Sequence, residues 1–141
     1  MGIDARIDGA RRMGLAAAML IAAASPAFAQ EPGRLPKTPV VIEASDYDAC
    51  PSNAVVAGLD PAGDGFLAVR SGPGPRNPEL DRLHNGEAVF VCAERGSWLG
   101  VVYTRQGGNC NVSSPWPVSQ PYTGPCRSGW VHRNWIRITA G

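Results

Sequence analysis

The chain has 141 residues, with 13 Lys or Arg against 12 Asp or Glu and a formal net charge of +1. Balanced charge without a basic run lacks the electrostatic footprint of a nucleic-acid binder, and also the polybasic segment expected at an anionic membrane surface. The length allows one domain.

In chain order, Arg6, Arg11 and Arg12 charge the front end, Met13 to Ala24 form an apolar run, and Ala27-Phe28-Ala29 supplies the small residues that a signal peptidase needs. Residues 1–29 are therefore expected to be a signal peptide, cleaved to expose Gln30. The apolar run is too short to span a hydrocarbon core of roughly 30 Å, and no later segment is longer, so no membrane span is expected after cleavage. Nothing amphipathic supports the alternative, a buried N-terminal helix. The Arg11-Arg12 pair leaves twin-arginine export open, although the rest of that motif is not evident. Cleavage would remove three Arg and two Asp, so the mature chain is neutral.

Residues 30–49 carry Pro32, Pro36 and Pro39 with mixed charges and little periodicity, which suits an extended linker. From Cys50 onward the pattern becomes that of short strands. Ala54 to Leu59 is a strand candidate, Asp60 to Gly65 is dense turn chemistry, and Phe66 to Arg70 alternates large and small residues before Ser71-Gly72-Pro73-Gly74-Pro75 opens a long loop. Ala88 to Ala93 and Trp98 to Thr104 read as a hairpin joined through Glu94-Arg95-Gly96-Ser97. Trp130-Val131-His132 and Ile136-Arg137-Ile138 supply the last strands, with a single helical turn at Arg133-Asn134-Trp135. Gly72, Gly74 and Gly86 are expected to take positive φ in turns. Without an amphipathic helix after residue 29, the pattern argues for an all-β barrel or sandwich spanning residues 50–141.

The four cysteines, Cys50, Cys92, Cys110 and Cys126, all follow the leader. An even count in an exported chain reads as two disulfides, for which three connectivities exist. Cys110 with Cys126 is favoured, because both lie in one Gly- and Pro-rich segment whose ends must meet; Cys50 then pairs with Cys92. A zinc site is disfavoured, since no Cys-x-x-Cys pair exists and His84 and His132 fall at unrelated spacings. No metal or cofactor is expected. Asp60-x-x-x-Asp64-Gly65 resembles half of a calcium loop, but Ala62 and Ser71 stand where oxygen ligands are needed, and a β-turn is the better reading. Asn111-Val112-Ser113 fits a glycosylation triplet, which in a bacterial protein would mean little.

Gly65-Phe66-Leu67-Ala68-Val69-Arg70-Ser71-Gly72-Pro73-Gly74 resembles the signature of bacterial SH3 domains, in which a Leu-x-Val-Arg-Ser-Gly-Pro strand runs into a long loop. Leu80 to Val89 is similar to that family's Ile-Gly-x-Leu-x-x-Gly-x-x-Val segment, Gly96 to Val101 to its Gly-Gly-Trp-x-x-Val strand, and Gly129-Trp130-Val131-His132 to its closing strand. The resemblance implies a small SH3-like barrel of five to six short strands. It also implies a non-catalytic, monomeric binding module in the periplasm or outside the cell, with peptidoglycan or an envelope protein as ligand. Cell-wall peptidases with such domains carry a separate catalytic domain, for which this chain has no room.

The sequence departs from the family between Thr104 and Gly129. There Trp116, between Pro115 and Pro117, and Tyr122 after Pro121 form either a stacking platform for a sugar or peptide or a lid over an exposed strand edge. The candidate ligand-binding residues are Trp116, Tyr122, Arg70 and Trp98. Arg70 also has a structural reading, an ion pair that latches the long loop, and Trp98 and Trp130 are expected to be largely packed. Two further functions stay open: a small hydrolase, or hydrolase inhibitor, working through His132 and a neighbouring carboxylate, and a purely structural envelope protein.

Overall fold

Alternation of buried and exposed side chains shapes most of this molecule, and in its centre that alternation disappears. The computed structural model describes residues 35–141; the expected signal peptide lies outside the described residues. The strands are β1 (Val41–Ile42), β2 (Ser52–Val56), β3 (Leu67–Arg70), β4 (Glu79–Leu83), β5 (Ala88–Arg95), β6 (Trp98–Tyr103), β7 (Gln120–Pro121), β8 (Arg127–His132) and β9 (Ile136–Ala140), with a single 3-10 turn at Arg133–Trp135. No α-helix occurs among the described residues. Seven strands form one antiparallel sheet in the order β4-β3-β8-β6-β5-β2-β9, and β1 pairs with β7 in a second, two-stranded sheet. The fold is all-β, with β4 and β9 as the edges of the larger sheet.

Register shifts in the β2–β9, β3–β4 and β5–β6 pairings mark irregularities of the kind that bend a sheet. The inward face contributes Ala54 and Val56 from β2, Leu67 and Val69 from β3, Leu83 from β4, Val89 and Val91 from β5, Leu99 and Val101 from β6 and Val131 from β8. This first core gathers side chains from six strands, so the sheet curves around it.

A second core covers the opposite face of β5, β6 and β8. Cys92, Val102 and Trp130 pack there against Val40, Ile42 and Ala49 from the N-terminal segment and Cys110, Val112 and Tyr122 from the segment that precedes β8. With apolar material on both faces, β6 is buried at every position after Trp98, and its sequence loses the alternation of a half-exposed strand. Gly100 permits the close approach: a Cβ there would lie 3.1 Å from Val40 Cγ1 and from Ala93 Cβ.

Residues 35–49, read from the sequence as part of a linker, are therefore structural. Thr38 N–H donates to Ser71 O (2.9 Å), Tyr122 N–H to Val40 O (2.8 Å), and Trp130 Nε1–H to Thr38 O (2.8 Å). The Cys50–Cys92 disulfide ties the end of this segment to β5, and Cys110–Cys126 closes the insertion, with Cα separations of 4.1 and 5.3 Å. No cysteine is free, and two disulfides suit an oxidising compartment. No helix among the described residues is long and apolar enough to cross a membrane.

Candidate functional site

Strand β3 turns Leu67 and Val69 into the first core, which directs Phe66, Ala68 and Arg70 to the other face. On that face β8 and β6 place His132 and Trp98 directly opposite each other, and the 3-10 turn adds Trp135. Together they line a cleft of about 320 Å³ that also includes Asp64, Pro75 and Glu79. Trp98 and His132 meet edge to face, with centroids 5.4 Å apart and planes at 82°. His132 Nδ1 accepts the Asn134 N–H at 3.3 Å, so the neutral ring carries its proton on Nε2. Among the described residues no carboxylate pairs with His132. Trp98 is only half-buried, because one side of the indole borders the cleft; Trp130 is 1% exposed.

Arg70 does latch the long loop, through a carbonyl and not through an ion pair: its Nη1 donates to Asn77 O at 3.0 Å. Ser71 N–H closes the loop base on Pro78 O at 2.9 Å. Gly86 takes the expected positive φ, 88°. Gly72 does not, and is small for another reason: a Cβ there would lie 2.7 Å from Asn77 Oδ1. In the Asp60–Gly65 turn, Asp60 Oδ1 accepts Ala62 N–H at 2.8 Å and its carbonyl accepts Gly63 N–H at 3.1 Å. No group of three His, Cys, Asp or Glu that could hold a metal is found among the described residues.

The other two sequence candidates lie elsewhere. Tyr122 is buried in the second core, where its hydroxyl donates to Cys110 O (2.9 Å) and accepts from Cys126 N–H (3.2 Å). Burial pushes the Tyr122 phenol pKa up. Trp116 stacks on it, centroids 6.3 Å apart at 19°, and donates Nε1–H to Asn111 O at 2.7 Å. The proline-bracketed aromatics thus fold inward as part of the cover over β5, β6 and β8. Arg70 and Trp98 come together in the cleft; Trp116 and Tyr122 do not join them.

Sequence reasoning missed Phe66 and Trp135 as cleft residues, and a charged cluster at the roots of the insertion. Asp81 on β4 accepts the Tyr103 hydroxyl (2.7 Å), Arg127 Nη1 (3.0 Å) and Arg105 Nη1 (3.0 Å), so one carboxylate holds the chain where it leaves β6 and where it enters β8. Arg105 also reaches Glu87 (2.8 Å) and the Arg82 carbonyl. Partial burial pushes the Asp81 carboxyl up, but the hydrogen bonds from Tyr103, the Arg82 N–H, Arg127 and Arg105 outweigh it and leave the pKa below the ordinary carboxylate value. Glu87 is lowered in the same way, burial being outweighed by Arg105 and His84. Burial and the adjacent Asp81 drive the Tyr103 phenol strongly upward, so it acts as a donor. Arginines at both ends of a stapled insertion were the available signal for this cluster.

Comparison with known proteins finds no matching family model, no matching curated protein and no matching solved structure.

Proposed function

We propose that this chain is an exported, non-catalytic binding module of the bacterial SH3-like type that holds an envelope ligand, peptidoglycan before a protein partner, in the cleft of Phe66, Trp98, His132 and Trp135. One observation carries the reading: four rings from separate stretches of the chain converge on one concave surface, where Trp98 keeps part of its ring although it also packs against the second core, whereas Trp116 and Tyr122 stack on each other away from that surface. Aromatic walls with a few charged groups suit ligands that present flat or aliphatic faces. The four sequence blocks that resemble bacterial SH3 domains support the same assignment, as do the curled sheet and the small core. Two disulfides support a periplasmic or secreted location.

The test is retention on purified peptidoglycan sacculi, set beside capture from an envelope lysate. Wild-type protein should be retained by sacculi, and Trp135→Ala, at a ring 38% exposed, should lose most of that retention while unfolding normally. Capture from lysate alone would replace the peptidoglycan reading by the protein-partner reading, and equal retention of Trp135→Ala would remove the cleft. One observation favours a hydrolase: His132 shares the cleft with Asp64 and Glu79. Its Nδ1 is occupied by the Asn134 N–H, however, and among the described residues no carboxylate orients the ring as a base requires. Release of soluble fragments from sacculi, abolished by His132→Ala, would establish that reading in place of binding.

A further inference from the structure

Two charged groups of opposite sign line the cleft without a charged partner. Arg70 is half-buried, and its one side-chain hydrogen bond, from Nη1, goes to the Asn77 carbonyl. Among the described residues it makes no ion pair, so Nε and Nη2 remain available. Asp64, exposed in the turn before β3, makes neither a hydrogen bond nor an ion pair among the described residues. Glu79, the other carboxylate of the cleft, is taken up by Arg82. A guanidinium drawn partly out of water, whose cross-strand neighbour Glu79 is bonded to Arg82 instead, favours an anionic guest, and its planar fork matches a carboxylate in particular.

Arg70 closes β3, and Asp64 lies in the turn before that strand begins. Leu67 to Arg70 covers about 10 Å at ~3.3 Å per residue, and Asp64 lies before that stretch. An extended peptide of about three to five residues spans roughly 10 to 17 Å. Resting on the binding function proposed above, we infer that the cleft takes a short extended peptide in one orientation, its carboxylate on Arg70, its ammonium toward Asp64 and its apolar side chains against Trp98 and Trp135. A neutral glycan would satisfy neither charge.

Calorimetric titration of the full mature chain with the synthetic peptide Ala-Gln-Leu-Ala tests this directly, together with its C-amidated and N-acetylated forms and a neutral chito-oligosaccharide. The unblocked peptide should bind best. Each blocked form should bind at least about tenfold more weakly, the usual effect of losing a hydrogen bond to a charged group. Arg70→Gln should erase the difference between acid and amide while preserving the difference between amine and acetyl; Asp64→Asn should do the reverse, and Arg70→Lys should restore part of the carboxylate preference. If Arg70→Gln fails to fold, the exposed turn variant Asp64→Asn still decides one end. Equal affinity for all three peptides, no peptide binding, or binding of the oligosaccharide alone would overturn the inference. Sacculus retention lost in Trp135→Ala would still stand in those cases, so orientation and binding function fail separately.

Discussion

Trp130→Ala is the most severe single truncation available in the second core. The indole is 1% exposed, sits between the central sheet and the N-terminal segment, and donates Nε1–H to Thr38 O at 2.8 Å. Truncating a buried large aromatic to Ala costs roughly 3 to 5 kcal/mol, and at roughly 4 to 8 °C per kcal/mol for a small domain the melting temperature should fall by more than roughly 12 °C. Trp130→Phe separates the components: most of the apolar contact survives, and the Thr38 carbonyl loses its donor, for about 1 kcal/mol. Trp98→Ala is the control within the same sheet. Because half of that ring already borders water in the cleft, its loss should come to roughly 1 to 2.5 kcal/mol when scaled to the area removed from solvent. Urea denaturation of the oxidised protein, followed by near-UV circular dichroism, measures all three. A Trp130→Ala cost below about 1 kcal/mol, or equal costs for Trp98→Ala and Trp130→Ala, would refute the assignment of the N-terminal segment to a second core.

Three further outcomes are expected. Asp81 and Glu87 have folded-state pKa values held below their ordinary ones, so their contribution is fully present above the unfolded-state pKa and disappears as pH falls through the depressed folded value. Denaturation midpoints from neutral to strongly acidic pH should therefore drop in the acid range, and Asp81→Asn should flatten that drop; an unchanged slope would exclude the cluster as its source. Replacing both Cys110 and Cys126 by Ser opens a loop with a sequence separation of 16, which should cost about 3 kcal/mol in the chain-entropy model, read as a shift in the urea midpoint. Trp116→Ala removes a ring stacked on Tyr122 and a hydrogen bond to Asn111, so it should lower stability by about 1 to 3 kcal/mol without selective loss of sacculus retention. Intact stability with lost retention would return Trp116 to the ligand surface.

The strands that proved legible in the sequence share one trait: their apolar residues recur in a local pattern that needs no partner to be seen. Phe66 to Arg70 alternates, the Ala88 to Ala93 and Trp98 to Thr104 runs are dense in Val, and the Gly between them marks a turn. The cysteine pairing was readable for a related reason, since Cys110 and Cys126 bound a single insertion and leave one choice for the other two. β4 was not readable as a strand. Glu79-Leu80-Asp81-Arg82-Leu83 offers one fully buried side chain, Leu83, and is held extended by its pairing to β3.

Local pattern also could not reveal where chemistry would collect. Trp116 and Trp135 look alike in a sequence, each an isolated ring in a turn-rich segment. The fold turns Trp116 onto Tyr122 over the sheet and leaves Trp135 beside His132 and Trp98. Val40 and Ile42 stand among prolines and read as linker, yet both are fully buried because the exposed face of β5, β6 and β8 requires a cover. The sequence by itself determined the all-β class, most strand positions and the disulfide partners, since these follow from side-chain period and from loop ends that must meet. Only the tertiary structure decided which aromatics are core, which line the cleft, and that one carboxylate, Asp81, holds both roots of the insertion. Those outcomes depend on which faces of distant strands come together, and burial of apolar surface selects that arrangement over the whole chain at once.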